Sequence, residues 1–343
     1  MHYFKYLMFM VLWNFDPFFS RAQVDHYLTT HKYGFQLGSG FDARTRDSLR
    51  VLLKPYRLLL QAEGGSHDLD IYLHLPLVWI RFLHETFGLQ HFFFEGGQGG
   101  AVLQRAYLRS GDTTVLRLQQ KTFWEDLRAY DPHITPGGGV DFERPRQTVP
   151  ALQNLFTQPV PPSLATIAAL VADTTRDCDA WITRTKALQT EFRQHEFALK
   201  TYLGDAYPDF IDIIQNAGSC KDVYRNRNGH MADRLMAFAA RENDPIYFGE
   251  FGEAHTVLNS KQSLAHIITH SPGWAGKVCT VNLYCYQCTT DEPVSNWPLK
   301  GMEADIQKYF LPLCDGDFTL FDLSGLPQYA AYGQLLIIAK GQH

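Results

Sequence analysis

Two histidines and a set of carboxylates fall where an α/β fold collects its chemistry. Three segments climb through an apolar run and end in glycine and acid: "QAEGGSHD" at 61–68, "FFFEGGQGG" at 92–100 and "YFGEFGEAH" at 247–255. Ligands of a parallel sheet bind beyond the carboxyl ends of its strands. If these runs are strands, Glu63, His67, Asp68, Glu95, Glu250, Glu253 and His255 gather on one rim. A neutral imidazole takes a proton from water at physiological pH, and a nearby carboxylate orients it. The same residue types also ligate metals. A single strand-end Glu or His is more often a cap or a solvated loop residue; three such loops meeting on one rim are what suggest a site.

Other motifs carry less. "EGGQGG" lacks the third glycine of the dinucleotide fingerprint and the Lys-Ser/Thr of a P-loop. Close backbone approach at a strand-to-helix turn accounts for it. "HETF" at 84–87 is half of a zincin motif with no second histidine.

The positioning elements follow from the hydrophobic pattern. Strands are expected at Arg57–Gln61, His91–Glu95, Val140–Glu143, Pro245–Glu250, Gly276–Tyr286, Phe318–Asp322 and Gln334–Lys340. Amphipathic helices are expected at Asp68–Phe87, Gly99–Arg109, Tyr224–Arg241 and Ser260–His270. This alternation predicts an α/β fold, a mainly parallel central sheet flanked by helices. After "QPVPPS" (Gln158–Ser163), residues 163 to about 216 hold no strand pattern and read as a helical insertion broken near "GDAYPD". Ser163 is the expected N-cap of its first helix.

The 343 residues are 45% hydrophobic and 20% charged, enough for a sizeable core, with 24 Phe and 17 Tyr. A net charge of -5 leaves no basic footprint for nucleic acid. Near the N-terminus, Lys5 precedes an apolar block, Leu7–Phe15, too short to span a bilayer. Ser20 and Ala22 then stand three and one positions before a cut ahead of Gln23. Residues 1–22 therefore read as a signal peptide and 23–343 as one α/β domain, exported to the periplasm or the medium; an N-terminal helix or strand packed on the domain is the alternative. No integral membrane segment is expected in the mature chain. Of six cysteines, Cys285 and Cys288 have CxxC spacing but lie on a strand pattern rather than opening a helix as a redox motif does. Buried thiols or one disulfide are expected.

Taken together, several segments resemble the erythromycin esterase-like proteins, whose wider superfamily includes haem-handling ChaN-like proteins. The His67 loop follows an apolar strand, as the family's Gly-Glu-x-x-His or Gly-Glu-x-His loop does. "HFFFEGG", 28 residues beyond His67, resembles a strand ending in a functional glutamate, followed by a helix ending "YLRSGD". "VDFER" at Val140–Arg144 is similar to an Asp-x-Glu strand, and "RNRNGHMADRLMAF" to an Arg-x-x-x-Met-Ala helix. "YFGEFGEAHTVL" is similar to a strand ending in a histidine. The resemblance covers most of residues 50–340.

It implies roles residue by residue. His67 corresponds to the general base that activates water against an ester or lactone carbonyl. Glu95 corresponds to a carboxylate that orients it, Arg227 to an arginine that holds a carboxylate or oxyanion, and His255 to the second histidine. One departure stands out: two and three residues before His67 are Gly65 and Gly64, and Glu63 is four before. Either the loop has gained a glycine and Glu63 still serves, the preferred reading, or the carboxylate is lost, with Asp68 as a substitute. The leading expectation is a hydrolase of a small-molecule ester or lactone, needing no cofactor although a metal is possible. The alternatives are a haem- or metal-binding protein on the same fold and a catalytically degenerate homologue.

Overall fold

The computed structural model describes residues 20–64, 70–115, 121–175, 177–216, 226–288 and 296–341. In chain order the elements are α1 (Arg21–Thr30), β1 (Lys32–Phe35), α2 (Ala43–Leu53), β2 (Leu58–Glu63), α3 (Asp70–Phe87), β3 (His91–Phe94), α4 (Gln98–Ser110) and α5 (Lys121–Tyr130). Then follow β4 (Thr135–Pro136), α6 (Pro145–Leu155), α7 (Ala165–Ala172), α8 (Cys178–Leu203), α9 (Tyr207–Asn216), α10 (Arg227–Glu242) and β5 (Tyr247–Gly252). The chain closes with α11 (Glu253–Thr256), α12 (Leu264–Thr269), β6 (Val278–Tyr286), β7 (Phe318–Asp322) and β8 (Leu335–Lys340).

The strands form one eight-stranded sheet in the order β1-β7-β8-β6-β2-β5-β3-β4. All neighbours are parallel except β7, which runs against both β1 and β8. The central strands are apolar along nearly their whole length because both faces are covered. Alternate residues take alternate faces. Leu59, Phe92, Phe248 and Ile337 meet Trp79 and Phe82 of α3 and Trp124 of α5. Leu58, Leu60, Phe93, Tyr247 and Phe251 meet Met231 and Leu235 of α10 and Leu264 and Ile268 of α12.

The expected α/β class with a mainly parallel sheet is what forms. Several details differ, among them four helices not expected, α1, α2, α5 and α6. Val140–Glu143 is a buried loop rather than a strand; the sheet pairing falls on Thr135–Pro136 just before it. Asp141 and Glu143 spend their carboxylates on Arg227 and on the start of α4, and no neighbouring strand pairs with this segment. Ser163 is not a cap: it lies inside a 3-10 turn, Pro162–Leu164, whose N-cap is Pro161, and α7 continues from it. β1 and β4 were not expected; four and two residues long, they carry too little pattern to read.

Among the described residues, 163–216 hold helices and no strand: α7 ends at Ala172, α8 begins at Cys178, and a 3-10 turn, Gly204–Ala206, parts α8 from α9. Their apolar side chains close a core with Val102 and Leu103 of α4 and Val149 and Leu152 of α6. Ser20 caps α1 through a capping box with Gln23, so the expected cut ahead of Gln23 falls in that helix's first turn. Residues 1–19 of the expected leader lie outside the described residues. Cys178 is disulfide-bonded to a partner outside the described residues, while Cys279, Cys285, Cys288 and Cys314 are thiols. Among the described residues no helix is long and apolar enough to cross a membrane.

Candidate active site

Glu95 follows the last residue of β3 and turns toward α10 and α11. Its Oε1 accepts from Arg227 Nη2 at 2.5 Å, and its Oε2 accepts from the Gly252 N–H at 3.1 Å. Oε2 also faces His255 Nε2 at 3.5 Å. Burial works against the charged carboxylate, but His255 and Arg227 outweigh it and draw the Glu95 pKa down to about 2. Arg227, the first residue of α10, is shared. Its Nε and Nη2 donate to Asp141 at 2.9 and 2.5 Å, the bidentate geometry a guanidinium favours. Asp141 is almost fully buried, and together the two carboxylates hold the Arg227 pKa above its ordinary value. Among the described residues, Nη1 of Arg227 has no partner.

His255 is oriented from behind. Asn228, one residue into α10, donates its amide nitrogen to the Gln262 carbonyl at 2.7 Å, which turns its oxygen toward His255 Nδ1. A carboxamide oxygen only accepts, so Nδ1 carries the proton and Nε2 is the nitrogen that exchanges one, facing Glu95.

A second polar group lies at the same strand ends, on the α3 face of the sheet. Gln61, Glu63 and Glu250 share that face by strand alternation. Gln61 donates to Glu250 at 3.3 Å. Burial first, and the Glu63 charge second, push the Glu250 carboxyl well above the usual range. Burial also lifts Glu253, at the start of α11, to about 7. Tyr72 of α3 lies against this group, its hydroxyl pKa raised mainly by burial.

Of the residues expected to act, Glu95, Arg227 and His255 come together on the α10 side of the rim. Glu63 lies on the α3 side with Glu250. His67 and Asp68 lie outside the described residues, in the stretch between β2 and α3. Asp141 and Asn228 were not among the expected site residues; "VDFER" and the "RN" that opens α10 were the signals that could have found them. Among the described residues no group of three or more His, Cys, Asp or Glu is disposed to hold a metal ion.

Gly97 and Gly99 of "EGGQGG" are close-packing positions, while Gly96 faces open space. A Cβ on Gly99 would lie 2.6 Å from Thr148 Cα, and one on Gly139 would lie 1.8 Å from the Gly97 carbonyl carbon. The start of α4 is occupied by protein: Glu143 accepts from the Gln98 and Gly99 N–H groups at 2.6 and 3.0 Å, and from Thr148 Oγ1 at 2.7 Å. A buried carboxylate thus fills the position where a phosphate would bind.

A parallel-sheet α/β protein with a carboxylate–arginine–histidine constellation at its strand ends is the class these observations define. The chain has the fold of an erythromycin esterase. A mutant of the erythromycin esterase EreC in its open conformation superposes with a TM-score of 0.58 at 12% identity, over 89% of this chain and 95% of that one. A structural-genomics protein from Bacillus cereus superposes at 0.64, with 12% identity over 94% and 98% of the two chains. A succinoglycan biosynthesis protein does so at 0.63, with 10% identity over 94% and 97%. At such identities the likeness is one of fold. No protein-family profile and no curated protein matches the sequence.

Proposed function

We propose that this chain is a hydrolase in which a histidine-activated water attacks the carbonyl of a carboxylic ester or lactone. The observation that carries the reading is the Glu95–Arg227–His255 constellation, with Glu95 ionised and His255 presenting Nε2 toward the rim. In this scheme His67 is the general base and Glu63 its carboxylate, both as the sequence resemblance implies. Arg227, held by Glu95 and Asp141, offers Nη1 to the developing oxyanion, where a fixed cation stabilises charge that forms only in the transition state. The proton His67 takes from the water passes to the leaving alkoxide, with His255 Nε2 as the relay that accepts it and gives it up. The substrate is a small-molecule ester, and no cofactor is needed for these steps.

The test is hydrolysis of a chromogenic ester and of a macrocyclic lactone by the full chain and its variants. His67→Ala and His255→Ala should each lower kcat/KM by about 10²–10⁴. Hydrolysis that survives His67→Ala would remove that mechanism. Preparations that carry a Soret band or one equivalent of metal would instead favour the ligand-binding reading of the fold.

Export is a second proposal, supported by the apolar block at Leu7–Phe15 and by the disulfide at Cys178, which suits an oxidising compartment. N-terminal sequencing of the mature protein checks it, with Gln23 expected as the first residue. A start at Met1 in a periplasmic or secreted fraction would overturn the leader.

A further inference from the structure

The CxxC pair at the end of β6 has no part in the proposed hydrolysis, and its geometry is that of a dithiol. Cys285 pairs with Ala339 in the β6–β8 register. Two residues later Gln287 takes a left-handed conformation, φ 55°, which folds the chain back. Cys288 thereby comes to lie beside the same Ala339, its Sγ 3.9 Å from that carbonyl oxygen. Both cysteines thus lie beside Ala339, next to one another at the end of β6. Asn296 fixes the backbone here, accepting from the Cys285 N–H at 2.9 Å and donating to its carbonyl at 3.0 Å.

The two sulfurs have different surroundings. Cys285 is buried on the α3 face with Tyr72 close by, while Cys288 is half-buried. Among the described residues the other two thiols have no cysteine at CxxC spacing: Cys279 is fully buried in the middle of the sheet, and Cys314 bonds a main-chain carbonyl, that of Phe310.

We propose that Cys285 and Cys288 form a reversible disulfide, with Cys288 the attacking thiol and Cys285 the resolving one. The oxidant is a low-molecular-weight disulfide. The Cys288 thiolate attacks one of its sulfurs, forming a mixed disulfide and expelling one small thiolate, which takes up the Cys288 proton. The Cys285 sulfur then attacks Cys288 Sγ, the protein disulfide forms, and the second small thiol leaves with the Cys285 proton. Two protein thiols are oxidised and one small disulfide is reduced to two thiols. The neighbouring Cys288 and burial both raise the Cys285 thiol, which fits a resolving sulfur that does not react with reagents in solution.

The test uses the full chain incubated with oxidised glutathione, quenched in acid, denatured, alkylated and mapped by peptide mass. In the wild type, alkylation at Cys285 and Cys288 should fall by about tenfold, and their peptide should be two hydrogens lighter. Cys285→Ser should instead trap glutathione on Cys288, and Cys288→Ser should leave Cys285 alkylated. Stable glutathione on wild-type Cys288, or full alkylation of both cysteines after oxidation, would overturn the proposal. Cys279 serves as the internal control and should keep its label.

Discussion

Arg227 is the residue on which the α10 side of the rim depends, because its guanidinium satisfies two carboxylates at once. Asp141 is almost fully buried, and removing the cation leaves its charge without compensation. Arg227→Met should therefore lower the unfolding free energy by about 3–5 kcal/mol in urea titration, with loss of hydrolysis as well. A variant as stable as the parent would show that Asp141 takes up a proton at little cost. Glu95 adds a pH dependence of known sign. Its folded pKa of about 2 lies below its ordinary 4.5, so its contribution is present above pH 4.5 and is lost as the pH falls toward 2. The shift amounts to about 3 kcal/mol. Glu95→Gln should flatten the acid limb of a Tm-against-pH curve in that window; an unchanged limb would place the acid sensitivity elsewhere. At this scale the sequence was legible for Glu95 and His255 from their types and strand-end positions, and for Arg227 only through the resemblance of the helix it opens. For Asn228 the "RN" that opens α10 was the one signal, and its role in orienting His255 shows only in the contact it makes.

At the scale of elements, the start of α4 shows how much one loop contributes. Glu143 supplies the carboxylate at this helix N-terminus, where charge and helix dipole agree. Burial opposes its ionisation and raises its pKa, while the Thr148, Asn216 and Gly99 donors pull the other way. Glu143→Gln keeps the shape but replaces one acceptor oxygen with a donor facing N–H groups. It should cost about 1–3 kcal/mol by thermal or urea unfolding; a neutral effect would mean the carboxyl is already protonated. The strands of the central sheet were readable as apolar runs because both of their faces are buried. Val140–Glu143 looked the same for a different reason: it is buried as a loop whose polar groups meet Arg227 and α4. Apolar patterning reports burial, and only the hydrogen-bond partners distinguish a strand from a buried loop.

At the scale of the whole molecule, the helical stretch 163–216 has a core of its own, shared with α4 and α6, and Cys178 ties the start of its long helix α8 by a disulfide. Reducing that bond should lower stability by about 2–4 kcal/mol, with helix loss on the first unfolding limb if this module opens first. A reduced protein with the parent's Tm would show that packing alone holds it. The sequence by itself determined the α/β class, the place of the helical stretch and the strand ends where chemistry could gather, because burial and periodicity act locally along the chain. Only the tertiary structure decided which rim residues meet. Glu63 and Glu250 point to the α3 face while Glu95, Arg227 and His255 gather on the α10 face, a division set by strand order and by the two-residue alternation of each strand, neither of which any one segment contains.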